Sequence, residues 1–206
     1  MKKIILFAGL IIASFNAFSQ SATFGIKGGV NFGQLYSTFD KTTGSASTGL
    51  LTTYSIGVFA DILISDNVSI QPGFNYAGKG GSEKKGDSVI KAKLFYLHFP
   101  VNAVYHVDIE PGVLYFGAGP YVAYGLSANV DVNNGKTSQS QNVGFGAGEG
   151  RYQSLDAGLN AMAGITLDSG LIFDIHYEFG LTNVSNISGD HTSNRVFGLS
   201  VGYTFK

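Results

Sequence analysis

The stretch Phe173-Asp174-Ile175-His176-Tyr177-Glu178-Phe179-Gly180-Leu181 decides the fold, because apolar and polar residues alternate along its whole length. Successive side chains of a β-strand point to opposite faces, so the pattern predicts a strand with one apolar and one polar face. Seven other segments alternate in the same way. With the segment at about 170–181, the predicted strands cover residues 24–33 and about 50–64, 67–79, 93–107, 112–126, 152–167 and 195–205.

The connections between these eight predicted strands alternate in length. Three are short, namely Ser65–Asn67, Asp108–Pro111 and Asp168–Gly170, and four are long, at about 37–49, 80–92, 127–151 and 182–194. This alternation is typical of a meander with short turns at one end and long loops at the other. We therefore predict an all-β fold, an eight-stranded antiparallel up-and-down transmembrane β-barrel. The loop at 127–151, rich in glycine, asparagine, serine and glutamine, is predicted to be mobile.

The composition indicates which face of this barrel meets the surroundings. Charged residues make up 13% of the chain, about half the share in soluble domains. The polar faces of the strands consist mostly of glycine, serine, asparagine and alanine. Such a face is a poor exterior for a soluble lipocalin-type barrel but suits the lining of a narrow one. The apolar face is therefore predicted to contact lipid, with aromatic residues such as Tyr54, Tyr76 and Phe95 near the rim that carries the long loops.

The N-terminus has the pattern of a secretory signal. Lys2 and Lys3 precede an apolar run, Ile4–Ala13, and Ala17-Phe18-Ser19 places small residues before a cleavage point. We predict a signal peptide at 1–19 and a barrel domain at 20–206, in the outer membrane of a Gram-negative bacterium. An uncleaved membrane anchor is the alternative.

Two further counts exclude classes of function. The chain has no cysteine, so it has no disulfide, thiolate nucleophile or cysteine metal site. Without Lys2 and Lys3, 11 basic and 14 acidic residues remain, a net charge of −3 that gives no reason to expect nucleic-acid binding.

Several short stretches resemble the PorT-like outer-membrane β-barrel proteins of Bacteroidota, small barrels of the OmpA/OmpX type. They are FGIKGG at 24–29, SIQPGFNY at 69–76, FYLHFP at 95–100, GAGPY at 117–121 and YEFGL at 177–181. The resemblance implies an outer-membrane location and handling by the barrel assembly machinery. It does not imply a role in secretion. Such barrels usually end in an aromatic residue, and here Phe205 is followed by Lys206.

A polar cluster is predicted inside the barrel. Asp174, His176 and Glu178 share one face of their strand, and strand alternation adds Lys27, Asp61 and Asp156 to the same interior. We interpret these six residues as a structural network of ion pairs, because unpaired charges in a barrel interior are costly. A metal or proton site is the alternative reading, since imidazole and carboxylates are metal ligands. No metal and no cofactor is predicted.

A basic segment is predicted at the rim with the long loops. It carries Lys79, Lys84, Lys85, Lys91 and Lys93 around Gly80-Gly81 and Gly86-Asp87. Such a rim could bind lipopolysaccharide phosphates through charge-assisted hydrogen bonds. The alternative is a solvated loop without a ligand. Outer-membrane lipid and lipopolysaccharide are therefore the expected partners, and no surface partner is named by the sequence.

No enzyme is predicted. The strand histidines His98, His106 and His176 face the interior by alternation, and the serine-rich loops contain no Gly-x-Ser-x-Gly motif. The predicted function is that of a non-enzymatic barrel with a side-chain-filled lumen, structural or surface-binding through four outer loops. A narrow pore or a secretion or transport accessory is the alternative, and an outer-membrane lipid-modifying enzyme is a third possibility.

Overall fold

The computed structural model describes residues 22–39, 44–146, 148, 150–186 and 190–205. The segment predicted as a signal peptide lies outside these residues. The described chain forms ten β-strands: β1 (Ala22–Phe39), β2 (Ser45–Ser47), β3 (Leu51–Ser65), β4 (Val68–Lys85), β5 (Ser88–Ile109), β6 (Gly112–Asn133), β7 (Ser138–Asn142), β8 (Leu155–Leu167), β9 (Leu171–Gly180) and β10 (Asp190–Phe205). Among the described residues, no helix is long and apolar enough to cross a membrane.

The sheet closes into a ring. Hydrogen-bonded neighbours follow the path β1–β3–β4–β5–β6–β8–β9–β10, and β10 then pairs with β1, from Phe24 opposite Phe205 to Phe39 opposite Asp190. Every pairing along the path is antiparallel, so the predicted antiparallel barrel is confirmed. Closure satisfies the backbone groups that an open sheet edge would expose.

The predicted total of eight strands is wrong for the sheet as a whole. β2 pairs with β1 and β7 pairs with β6, both off the ring. They form inside the segments 37–49 and 127–151, which were predicted as loops. The mobile loop predicted at 127–151 is thus replaced in part by strand, because β6 continues to Asn133 and β7 folds back along it.

The loop predicted at 80–92 is also wrong. β4 and β5 continue through it and join at a two-residue turn, Gly86-Asp87. Gly86 has φ +62°, a conformation that glycine adopts freely and that the first position of a tight hairpin turn requires. Together with the end of β6 and with β7, this hairpin forms a four-stranded projection that we call the extension: 80–93, 127–133 and 138–142. We call the opposite end of the barrel, with the turns at 66–67, 110–111 and 168–170, the turn end.

The two faces of the ring differ as the alternation predicted. On β9, Phe173, Ile175 and Tyr177 are each about half exposed, whereas Asp174 and Glu178 are buried. The exposed large apolar residues of the other ring strands continue this outward band. Because a water-facing surface of this kind would be strongly unfavourable, the band fits contact with lipid.

Two apolar clusters lie inside the ring, one toward each end. The upper cap, toward the extension, contains Leu35, Leu94, Tyr96, Tyr121, Ala123, Ala128 and Val184. Phe145 and Tyr152, from the connection between β7 and β8, pack against it. The lower cap, toward the turn end, contains Phe59, Val104, Tyr115 and Ile172 with Met162 packed against it.

Candidate functional site

An upper ionic cluster lies beneath the upper cap. The Lys79 Nζ atom is 3.1 Å from Asp156 Oδ2 and 2.6 Å from Glu178 Oε2, and the Lys79 side chain has no exposed surface. Asp156 also accepts hydrogen bonds from the Asn194 amide at 3.0 Å and the Thr182 hydroxyl at 3.1 Å. Each buried carboxylate therefore has a cation in contact, the condition under which buried charge is tolerated.

The same cluster extends along the lumen through two rings. The Lys79 ammonium lies 4.0 Å from the centre of the Tyr121 ring, within the range of a cation–π contact. The His98 Nε2 atom lies 3.3 Å from Glu178 Oε1, and the His98 ring is 4.7 Å from that of Tyr121. Side chains from β4, β5, β6, β8 and β9 thus meet at one level and fill the lumen there.

A lower ionic cluster lies beside the lower cap. Lys27 Nζ is 2.6 Å from Asp174 Oδ2, and the Tyr115 hydroxyl donates to the same oxygen at 3.0 Å. His176 Nδ1 is 3.8 Å from the other oxygen of Asp174. The Lys27 ammonium also lies 4.8 Å from the centre of the Phe59 ring. The second lysine of the lumen is thus held by a carboxylate and by aromatic faces, as the first is.

A third polar group lies nearest the turn end. The Ser69 hydroxyl contacts Asp61 Oδ1 and lies 2.8 Å from His106 Nε2, and that same nitrogen is 3.5 Å from Asp61 Oδ2. Sequence reasoning did not bring Ser69 and His106 to Asp61. Alternation places all three on the polar faces of neighbouring predicted strands near the turn end, but the register that brings them into contact is not a local property of the sequence.

The six residues predicted as one lumen network are therefore divided among three groups. Lys27, Asp174 and His176 lie together, Asp156 and Glu178 share Lys79, and Asp61 pairs with His106. Lys79 was predicted at the lipopolysaccharide rim, and this position is wrong. Odd-numbered residues of β4 face the lumen at this level, which brings Lys79 to two buried carboxylates. In the described part of the chain, no three histidine or carboxylate side chains converge as metal ligands.

A polar cavity of about 90 Å³ lies between the upper and lower clusters. Asn102 and Asn160 contribute amide oxygens that are buried and accept no hydrogen bond from the described residues. A cavity of this size and polarity has room for several water molecules, which would supply the missing donors. The lumen is thus packed at both ends and has a polar cavity between them.

The other predicted basic residues lie on the extension. Lys84, Lys91 and Lys93 line one groove on its outer surface, whereas Lys85 follows Lys84 on β4 and therefore points to the opposite face. Lys93 Nζ is 2.7 Å from Asp131 Oδ2 on the neighbouring strand. Hydrogen bonds from Lys93 and Ser140 hold the pKa of the Asp131 carboxyl below its ordinary value. The predicted rim is thus reduced to three lysines that share one surface.

Comparison with known proteins identifies the family. Residues 18–186 match the family model described as the outer membrane protein beta-barrel domain. The chain belongs to this family. Membership places it in the outer membrane of a Gram-negative bacterium. Because short turns of such barrels face the periplasm, the turn end is the periplasmic end and the extension lies outside the cell.

Several solved barrels are similar to this chain. Ail, the attachment invasion locus protein of Yersinia pestis, shares 13% identity over 90% of this chain and 99% of its own, with a TM-score of 0.46. Neisserial surface protein A shares 16% identity over 89% and 99% of the two chains, with a TM-score of 0.48. The N-terminal barrel domain of Pseudomonas aeruginosa OprF shares 13% identity over 86% and 97%, with a TM-score of 0.34. No curated protein matches the sequence.

Proposed function

We propose that this protein is a non-enzymatic outer-membrane barrel whose eight ring strands cross the membrane around a filled lumen. It acts at the cell surface, in a structural or surface-binding role, through the extension and the outer connections. β5 and β6 support a surface role, because each has 22 residues and a tilted strand needs only about 9–11 to cross the bilayer. Half of each strand is thus free to carry a surface beyond the membrane.

The observation that carries the proposal is the closed lumen. Lys79, in its upper ionic cluster, has no exposed side-chain surface, and an apolar cap lies toward each end of the lumen. An ion crossing the barrel would have to displace both caps and separate the paired charges. This arrangement supports a structural or binding role over the alternative of a narrow pore.

Planar-bilayer recording tests this proposal. The purified full-length barrel should give no steady large openings. A variant with Tyr96→Ala and Phe145→Ala, which removes two rings from the upper cap, should pass brief currents more often. Steady large openings of the wild-type protein would reject the filled lumen and favour the pore or transport alternative.

The Ser69, His106 and Asp61 group is the best argument for an enzyme, and its geometry weighs against one. In a serine hydrolase the carboxylate holds one ring nitrogen while the other faces the nucleophile. Here Ser69 and Asp61 approach the same nitrogen of His106, and Ser69 has no exposed surface. Mass spectrometry after incubation with lipid A should show no acyl loss. Acyl loss that disappears in Ser69→Ala would establish the enzyme instead.

We further propose that this chain is related to the PorT-like barrels of Bacteroidota, on the basis of the five matching stretches of sequence. A link to secretion is a separate matter. Cross-linked envelopes offer a test, in which the wild type is compared with a variant lacking 127–151. Recovery of secretion components by the wild type alone would favour the secretion-accessory alternative over the role proposed here.

A further inference from the structure

The outer face of the extension continues the lipid-facing surface of the barrel. On β5, Phe99 and Val101 are exposed toward lipid, and Lys91 and Lys93 have the same parity. On β4, Lys84 lies on the same face of the strand as the exposed Phe74. Because alternate residues of a strand point to the same side, the three lysines stand on the face that rises directly out of the membrane.

A cluster of aromatic rings lies just below these lysines. The Phe95 ring is 5.2 Å from that of Tyr76 and 5.4 Å from that of Tyr54. Aromatic rings at the edge of an apolar band mark the level at which lipid headgroups meet hydrocarbon. Lys93 precedes Phe95 by two residues, so it lies about 7 Å farther from the turn end along β5. The lysines therefore begin at the height of the outer-leaflet headgroups.

The groove itself offers several donors for an anion. It has a volume of about 460 Å³, and Asn133 and Ser138 line it together with the three lysines. Two carboxylates, Asp87 and Asp131, also line it, and Asp131 already pairs with Lys93. Lys84 and Lys91 have strongly exposed side chains at this surface. The groove thus has a net positive charge with ammonium groups that can reach a ligand.

The charge of the two ends of the molecule points to the kind of ligand. The periplasmic turns carry Asp66, Glu110 and Asp168, with Asp108 near the end of β5, and no lysine or arginine. The extension carries Lys84, Lys85, Lys91 and Lys93 against Glu83, Asp87 and Asp131, an excess of one positive charge in a chain whose net charge is −1. A basic surface placed at the outer headgroup level complements anionic lipid in that leaflet.

We propose that this groove binds the phosphate groups of a phosphorylated glycolipid of the outer leaflet, while the lipid's acyl chains lie against the Tyr54, Tyr76 and Phe95 rings. Lys91 and Lys93 are the main contacts, and Lys84 covers the outer side of the phosphate. The inference rests on the proposed surface role and supplies its ligand. Lysine suits this task as a point charge that contacts several phosphate oxygens in turn.

Native mass spectrometry of the detergent-purified full-length protein tests the inference, with bisphosphorylated lipid A as the probe. Replacing both Lys91 and Lys93 by glutamine should weaken binding about thirtyfold, because each basic residue at an anionic membrane surface contributes about 1 kcal/mol. The matched control is Lys85→Gln with Lys136→Gln, which removes the same charge from two lysines that do not line the groove, one on the opposite face of the extension and one in the connection between β6 and β7. It should change binding by less than about threefold.

Two further probes identify the source of the phosphate. Dephosphorylated lipid A should bind the wild type as weakly as bisphosphorylated lipid A binds the groove variant, and inorganic phosphate should not compete at millimolar concentration. Equal loss in the groove and control variants, or equal binding of the dephosphorylated lipid, would overturn the inference. Competition by inorganic phosphate would show a free-anion site instead. Heat-modifiable gel mobility checks that every variant folds, and bilayer conductance tests the proposed function independently of lipid binding.

Discussion

Lys79 and Lys93 are a pair of similar residues in two different regions of the molecule. They lie on neighbouring strands, and each has an ammonium group within 2.7 Å of a carboxylate oxygen. Lys79 is in the lumen, where its side chain has no exposed surface and contacts two acids. Lys93 is on the extension, where its side chain is 40% exposed and contacts one.

The difference shows that the strand face on which a lysine lies, more than the residue type, decides whether its charge is structural or can bind a ligand. In the lumen, an ammonium group removed from its partners would leave two buried carboxylates uncompensated, so the ion pairs are structural. On the extension, water screens the pair and its contribution to stability is small. A charge of little structural consequence is available to a ligand.

Loss of the buried lysine should have the largest effect. Replacing Lys79 by methionine keeps most of the side chain's volume but leaves Asp156 and Glu178 without a cation. We expect the free energy of unfolding to fall by about 3–5 kcal/mol. Urea unfolding in lipid vesicles, followed by circular dichroism and gel mobility, measures this, since the chain has no tryptophan.

The matched change on the extension is Lys93→Met, for which we expect a loss below about 1 kcal/mol. A triple variant, Lys79→Met with Asp156→Asn and Glu178→Gln, should recover much of the stability lost in Lys79→Met, because it removes the uncompensated charges. Equal losses in Lys79→Met and Lys93→Met would refute the distinction between the two regions.

The same comparison explains what could be predicted from the sequence. Alternation along each strand is a local property of the sequence. It therefore predicts the ring strands, their outward apolar band and the inward position of Asp174, His176 and Glu178. Lys79 ends the predicted strand 67–79 and has the same parity as Ser69 and Gln71 on its polar face. It was misplaced because it was grouped with the lysines of the predicted loop that follows. The turn signal at Gly86-Asp87 indicates that both strands continue up to this turn, so alternation also assigns a face to the lysines on either side of it. The partners of Asp61, in contrast, depend on the register between strands, which no local pattern specifies.

The upper cap can be disturbed at a single glycine. A Cβ atom on Gly125 would lie 2.6 Å from atoms of the Phe145 ring, so Gly125→Val should displace that ring from the cap. We expect a loss of about 1–3 kcal/mol in unfolding free energy, as for other overpacked sites. Faster cleavage of the connection between β7 and β8 by an external protease on whole cells provides a second measure.

Gly28→Val is the matched control for this change. Its Cβ would meet nothing closer than Ser55 O at 3.7 Å. It should therefore leave both stability and cleavage close to wild type. If the two variants behave alike, Phe145 does not close the lumen, and the contrast between a sealed interior and an accessible surface is lost.

The smallest effect on stability is expected at Asp131, the carboxylate that competes for Lys93. Asp131→Asn should change the free energy of unfolding by less than about 1 kcal/mol. It should nevertheless strengthen the binding of bisphosphorylated lipid A, because it frees the Lys93 ammonium.

The pH dependence of the Asp131–Lys93 pair offers a further check. The pKa of Asp131 is lowered by its hydrogen bonds, so the pair stabilises the protein above the ordinary aspartate range, and this stabilisation is lost as the pH falls through the lowered pKa. The difference in urea midpoint between wild type and Asp131→Asn should therefore persist at neutral pH and vanish in acid. Weaker lipid binding by Asp131→Asn would mean that the carboxylate positions Lys93 for the ligand and does not compete with the ligand for this lysine.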